Sequence, residues 1–290
     1  MINALTIDLE DYYFIVIRDF FNQRFEVSER TKECTYKMLK VLDKTQTKAT
    51  FFVLGVVAKR FPELIREISQ LGHEVASHGF EHIYWNKSSR EEIKKDLINS
   101  KHILEDITGK EVIGYRAPAF GLSLDRLDDF ALLAELGFKY DSSIFPIKGK
   151  RYGSPQSPLA PYPIKTEKGE IIEFPLCAVR FFNRNLPAAG GGYLRLFPLK
   201  YNLWAIKRNN KQGIMVTAYF HPYECDVHPL PINIKNAEPK SKRKFKIFHT
   251  IQCINRKYTL KKLEILCHTF TFAPISEILE KKLFKKLVNH

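Results

Sequence analysis

The 290-residue chain is 44% hydrophobic and 27% charged with no low-complexity tract, which excludes a disordered or fibrous polypeptide and leaves room for one sizeable core. A net charge of +14, spread thinly until it concentrates from Lys235 onward, favours acidic partners but equally suits a solvated lysine surface. Five scattered cysteines without a C-x-x-C pair, acids within the first dozen positions and no apolar run near the ~18 residues of a membrane span predict a globular cytoplasmic protein without disulfides, signal peptide or spanning helix.

In chain order, residues 4–9 read as a first strand. Tyr36, Leu39, Lys40 and Asp43 with their apolar neighbours predict a helix before a second strand at 48–54. Phe61, Leu64, Ile65, Ile68 and Leu71 recur at helical spacing and stop at Gly72, a residue suited to a helix C-cap. A third strand is expected at 73–77. Ser89 with Glu92 three residues on has the form of a capping box, and the helix it opens, carrying Ile93, Leu97, Leu104 and Ile107, closes at Gly109. A strand at 111–115, a helix at 124–136 ended by Gly137 and a strand at 138–141 continue the alternation. Prolines mark 155–163 as an exposed loop, followed by a strand at 170–176, a glycine loop at 190–192, a helix near 199–208 and a strand at 214–220. Such βα alternation predicts a parallel sheet with helices outside it, either a barrel or a doubly wound sheet, with ligands beyond the carboxyl ends of the strands.

Polar residues gather at those ends. Asp8, Glu10 and Asp11 close the first strand, residues 77–82 follow the third, and Arg116, Asp141 and His221 close later ones. Taken singly, each has an ordinary explanation: surface histidines, capping acids, a structural ion pair, a core histidine. Their joint placement on one rim points to chemistry. His78 and His82 are four apart, so on a helical turn both face one way and could grip one metal ion. With one carboxylate they would meet the three-ligand count of a catalytic Zn2+. A second carboxylate could take a proton from water, and a histidine opposite could protonate a leaving amine.

With TIDLED (6–11), SHGFEH (77–82), YRAPAFG (115–121), YDSS (140–143) and YFHP (219–222) in this order, the chain resembles the polysaccharide deacetylases of the NodB-homology superfamily, carbohydrate esterases built on a distorted (β/α) barrel. GGGYLRLFP (190–198), HPYE (221–224) and FTFAPISEIL (270–279) resemble a branch linked to exopolysaccharide synthesis. The resemblance implies an α/β fold with a catalytic barrel over 1–230 and a basic extension, 231–290, completing the same domain. It implies a hydrolase that removes the acetyl group from an N-acetylated sugar, using a divalent cation, Zn2+ first, bound by His78, His82 and a carboxylate. The family's usual first motif is two adjacent aspartates; here the second acid is displaced, with Glu10 the favoured ligand and Asp11 the alternative. By the same resemblance Asp8 is the general base and Arg116 holds it ionised. His221 is the general acid, with Asp141 tuning it. A backbone N–H near Ala119 stabilises the oxyanion, although Ala stands where the family commonly has Tyr, and the segment around Asp141 lacks the family's frequent Trp.

Three consecutive glycines beside a tyrosine suit a backbone that approaches a sugar closely, so Gly191, Gly192 and Tyr193 join the candidate substrate contacts, a plain surface loop being the alternative. Ile275, Ile278, Leu279, Leu283, Leu287 and Val288 on one side, with Lys281, Lys282, Lys285 and Lys286 in basic pairs, predict a core-docked helix whose charge could also meet an anionic membrane. The expected partner is an N-acetylated or lipid-linked glycan, with peripheral contact at the inner face of the membrane. Nucleic acid is not expected, since no binding motif and no regular aromatic interleaving accompany the charge. The rival readings are a cyclic-amide or other C–N hydrolase on the same scaffold and a catalytically silent carbohydrate-binding protein.

Overall fold

The computed structural model describes residues 1–149, 153–228 and 238–283. Strand β1 (Ile2–Leu9) is followed by α1 (Tyr12–Phe21), α2 (Glu29–Lys44), β2 (Thr50–Val53), α3 (Gly55–Arg60), α4 (Pro62–Gln70) and β3 (Glu74–Ser77). Next come α5 (Arg90–Thr108), β4 (Gly114–Tyr115), α6 (Leu127–Glu135), β5 (Tyr140–Asp141), β6 (Tyr162–Thr166), β7 (Gly169–Glu173) and a hairpin of β8 (Ala178–Phe181) and β9 (Arg184–Pro187). The remaining elements are α7 (Gly191–Leu196), α8 (Leu199–Lys211), β10 (Thr217–Phe220), α9 (Pro239–Cys253), α10 (Thr259–Thr269), β11 (Thr271–Ala273) and α11 (Ile275–Glu280).

The strands run β10-β1-β2-β3-β4-β5-β7 in parallel, with β6 antiparallel at the edge and β11 beside the start of β1. Beyond β7 the chain crosses to β10, where Leu176 makes a parallel bridge to Thr217. This bridge and a second between Gly190 and Tyr219 stand in place of a full ladder, so the sheet is a curled, distorted α/β barrel.

A period of two decides what fills it. Along β1, Leu5, Ile7 and Leu9 pack outward against the helices, while Ala4 joins an inner cluster with Phe52, Ala76, Tyr140, Ile172 and Phe174. Thr6 and Asp8 share the parity of Ala4, so β1 carries its inner face into a polar rim at the carboxyl end. The opposite end is plugged by α11: Ile275 and Ile278 are buried in the inner cluster, Ile275 N donates to Thr50 Oγ1 (2.8 Å) and Ser276 N donates to Glu74 (2.9 Å).

The capping box at Ser89 forms as expected, with Glu92 N donating to Ser89 Oγ (3.2 Å) and Ser89 N to Glu92 Oε2 (2.7 Å). Elsewhere the structure departs from the pattern. Tyr162, within the 155–163 loop, already begins β6, and the 124–136 helix starts at Leu127. Helix α1, not among the elements read from the sequence, buries Tyr12, Tyr13, Val16 and Ile17 at helical spacing, with Phe245 of α9 in the same cluster. The expected tail helix is shorter: α11 ends at Glu280, Lys281 pairs with Glu277 (2.6 Å), and Lys285, Lys286, Leu287 and Val288 lie outside the described residues.

Buried His73, at the entrance to β3, accepts a hydrogen bond from Ala49 N at Nδ1 (3.2 Å). Burial, aided by the charge of Lys48, pulls its pKa from 6.5 down to about 4. Between those values the unfolded chain binds a proton that the folded chain refuses, so stability is full above pH 6.5 and is lost as pH falls toward 4. His73→Asn, which keeps an acceptor near Nδ1, should remove about 3 kcal/mol of this loss. Urea unfolding of both proteins across this pH range checks it; parallel pH profiles would contradict it.

Candidate active site

Arg116 enters the barrel at the end of β4 and is fully buried, its guanidinium 4.2 Å from the Phe52 ring centroid. Its Nη1 donates to Asp8 Oδ1 (2.6 Å) and Thr6 Oγ1 (2.8 Å), its Nε to Ser142 O (2.8 Å) and its Nη2 to Ser142 Oγ (2.6 Å). Both hydroxyls donate onward, Thr6 to Ala218 O and Ser142 to Phe174 O, so each is satisfied as donor and acceptor. The buried Asp8 carboxylate thus meets a fixed cation with one oxygen, leaving Oδ2 toward the cavity side.

The three expected metal ligands meet. Glu10 Oε2 lies 3.3 Å from His78 Nε2 and 3.2 Å from His82 Nε2, and one ligand atom from each residue falls within 4.8 Å of the others. A tetrahedral centre with ~2.1 Å bonds has edges of about 3.4 Å, so the spacing fits one cation. The protons agree. His78 Nδ1 is 2.7 Å from the Arg116 carbonyl oxygen, which can only accept, so the proton sits on Nδ1 and Nε2 offers its lone pair. Without a cation in the cluster, burial opposes a charge on Glu10, while hydrogen bonds from His78 and His82 and the charges of His82 and His221 hold it well below the usual carboxylate range. Burial also lowers His82, favouring its neutral form. A carboxylate oxygen and two imidazole nitrogens within 4.8 Å of one another form a donor set suited to one cation.

The histidine spacing works by a different route from the expected helical turn. Residues 78–82 are irregular, with Gly79 at φ +80° and His82 at φ 55°. Asp96 of α5 pins this bend by accepting from Phe80 N (2.7 Å) and Glu81 N (2.9 Å), and a Cβ on Gly79 would lie 2.6 Å from its oxygen. Asp11 is excluded from the cluster by its bonds: Oδ1 caps α1 through Phe14 N (2.8 Å), and Oδ2 accepts from Ser28 N, Ser28 Oγ and Thr31 Oγ1. Glu10 is the acid that points in.

His221, after β10, brings Nε2 to 3.7 Å from both Asp8 Oδ2 and Glu10 Oε1. The carboxylate on its Nδ1 is Glu224 (3.2 Å), which also accepts from His221 N (3.1 Å). Burial would lower the His221 pKa, but Glu224 first, then Glu10 and Asp8, raise it to about 9. This corrects the role expected of Asp141. Its oxygens accept from Ser143 Oγ (2.7 Å) and Ser143 N (2.9 Å), and Ser143 Oγ accepts from Ala117 N (2.7 Å), so Asp141 fixes the segment behind Arg116. Glu173 lies beside it in register; burial and the Asp141 charge push Glu173 well above the usual carboxyl range, so this pair keeps a proton. Glu224 and Asp96 escape a strand-end reading, though the HPYE spacing is a readable sign of the former.

A cavity of about 450 Å3 opens over these groups, lined by Tyr12, Tyr84, Tyr193, Tyr219 and Tyr223 and by Ala119 and Gly192. The glycine triplet is not a plain loop, although Gly192 and Tyr193 reach the cavity wall. Gly191 and Gly192 begin α7, and a Cβ on Gly190 or Gly191 would strike the Tyr219 ring at 1.9 or 2.6 Å. Two of the glycines therefore admit Tyr219, and Gly191 is buried away from the cavity. Ala119 has a left-handed φ of 53° at the cavity wall.

A buried carboxylate–guanidinium pair, a three-ligand cluster and a carboxylate-backed histidine on the carboxyl rim of an α/β barrel define a hydrolase-type site. Residues 23–140 match the family model described as polysaccharide deacetylase, and residues 142–280 one described as a domain of unknown function (DUF3473). Residues 23–140 are thus similar to the polysaccharide deacetylases, and the fold is shared with solved structures described as polysaccharide deacetylases. His78, His82 and Arg116 fall in the first match, His221 and Glu224 in the second, and Asp8 and Glu10 precede both. The chain is 33% identical over 108 residues to the peptidoglycan deacetylase of Helicobacter pylori, covering 37% of this chain and 36% of that protein. It is 32% identical over 84 residues to a peptidoglycan-N-acetylglucosamine deacetylase of Bacillus cereus, covering 29% of this chain and 39% of that protein. It thus spans less than two fifths of the length of these curated relatives. A structure assigned to the polysaccharide deacetylases of Mycobacterium smegmatis superposes with a TM-score of 0.58 at 20% identity, covering 99% of this chain and 92% of that one. Puue allantoinase superposes at 0.54 and 15% identity, covering 85% and 83%.

Glu10→Gln and His78→Ala should each weaken Zn2+ binding by about 100-fold or more, as expected for loss of one of three ligands. Asp11→Asn should leave binding intact and cost about 1 kcal/mol of stability through the lost cap. Calorimetric titration and thermal unfolding separate these. Metal loss in Asp11→Asn with retention in Glu10→Gln would exchange the two assignments.

Proposed function

We propose that the protein hydrolyses the acetamide of an N-acetylated glycan, releasing acetate and leaving a free amine. The observation that carries this reading is the meeting of Asp8 Oδ2 and His221 Nε2, 3.7 Å apart, beside the Glu10–His78–His82 cluster. A divalent cation on those ligands, Zn2+ first, would polarise the acetyl carbonyl and acidify water. Asp8, held in place by Arg116, takes the proton of the attacking water. His221, charged through Glu224, gives a proton to the departing nitrogen, because an amine anion cannot leave at neutral pH. The wall at Ala119 is where a backbone N–H would meet the oxyanion.

The names of the relatives and the tyrosine-lined cavity, whose rings combine a flat face with a hydroxyl, support a sugar substrate. The likeness to an allantoinase is one of fold alone and does not favour the cyclic-amide reading. A silent binding protein would have no use for a base and an acid held in opposite charge states. An exopolysaccharide precursor on a lipid carrier, met at the inner face of the membrane, is the substrate form we infer; the free thiols of Cys34, Cys177, Cys225, Cys253 and Cys267 support a reducing, cytoplasmic setting.

On N-acetylated oligosaccharides, Asp8→Asn should lower turnover on the order of 100-fold or more while metal stays bound. His221→Ala should lose comparably on the amide but less on an aryl acetate ester, whose leaving group needs no proton. Activity should fall as pH rises through the His221 pKa, and Glu224→Gln should move that limb down by about one pH unit, since a negative partner is removed. Full amide hydrolysis by Asp8→Asn, or equal loss on amide and ester for His221→Ala, would overturn these roles.

A further inference from the structure

Helix α9 presents an outer surface that its own packing does not explain. Its inner side docks on α1, with Phe245 buried and its ring centroid 5.6 Å from that of Phe20, while His249 Nδ1 lies 2.9 Å from the Tyr12 hydroxyl. The outer side begins with exposed Lys240, Lys242, Arg243, Lys244 and Lys246, none paired with a carboxylate among the described residues. It continues with Ile247 and Ile251, 56% and 47% exposed, and Ile254 at the C-cap, 43% exposed. Steps of four and three residues set these isoleucines in one stripe, and Lys240, Arg243 and Lys244 fall on the same side one and two turns earlier. Between Glu238 and Glu264 the chain has nine Lys and Arg residues and no acid.

We propose that this face docks on an anionic membrane surface, its cations at the headgroup phosphates and its isoleucines in the interface. The isoleucines decide between occupants. A soluble polyanion would use the charges and gain nothing from three exposed aliphatic side chains, whereas a bilayer uses both. Ile251 also lines the catalytic cavity, so docking would set the cavity mouth at the headgroup layer. That consequence rests on the deacetylase reading; the docking does not.

Vesicle sedimentation of the full chain tests the proposal without reference to catalysis. The protein should sediment with phosphatidylcholine vesicles containing about one third phosphatidylglycerol and not with phosphatidylcholine alone. Replacing Lys240, Arg243 and Lys244 together with Gln should weaken this by about 10-fold or more. Ile247→Ser with Ile254→Ser, which leaves the charge unchanged, should weaken it roughly 10-fold while leaving heparin binding as in the parent. All these positions are exposed, and unchanged thermal unfolding verifies the fold of each variant. Absence of sedimentation with anionic vesicles overturns the proposal. So does full vesicle binding by the isoleucine variant, which would assign the face to a polyanion instead.

Discussion

The site depends on one buried ion pair. Taking the charges of Arg116 and Asp8 out of water costs several kcal/mol per ion, and removing one partner from such a pair typically costs about 3–5 kcal/mol because the other is left stranded. Here the cost is offset by partners on all three guanidinium nitrogens: a carboxylate, two hydroxyls and a carbonyl accept four hydrogen bonds, and an aromatic face lies beside the group. The contributing groups come from three parts of the barrel wall: Thr6 and Asp8 on β1, Phe52 on β2 and Ser142 after β5. The pair therefore forms only when the strands are in register, and the register of the strands is what places Asp8 on the rim.

Arg116 also reaches the second half of the chemistry through its backbone. Its carbonyl accepts from the His78 ring while its side chain holds Asp8 in place, so the proposed base and the Glu10–His78–His82 cluster share one anchor. The proposed proton donor arrives from elsewhere. His221 follows β10, in the part of the chain matched by the domain of unknown function, and its orientation depends on Glu224 one turn later. The same part supplies Tyr193, Tyr219 and Tyr223 to the cavity wall. The site is thus completed by both matched segments and by β1.

Much of this was legible in the sequence, for a physical reason: alternating strand residues and strand ends leave a local pattern. Asp8, Glu10, His78, Arg116 and His221 stand at or just after strand ends, and the structure gathers them. Partners set by the tertiary fold left no such trace. Asp141 and Glu224 are both acids near a rim, and only the packing decides which one faces the His221 ring. The glycines at 190–192 signal close approach correctly but not what approaches; the neighbour is Tyr219. In helix α1 the buried Tyr12, Tyr13, Val16 and Ile17 sit at helical spacing inside an unbroken apolar run that masks the period, and α9 splits its apolar residues between an inner face and an exposed stripe.

The central claim is that this geometry cleaves an amide carbon–nitrogen bond on a sugar. Product stoichiometry tests it most directly: the metal-loaded protein is incubated with N-acetylglucosamine oligosaccharides and, separately, with a cyclic amide, and both acetate and new primary amine are counted. The account predicts one amine for every acetate from the glycan and no ring opening of the cyclic amide. A fully metal-loaded protein that releases neither product from any N-acetylated glycan, or that opens the cyclic amide instead, would contradict it.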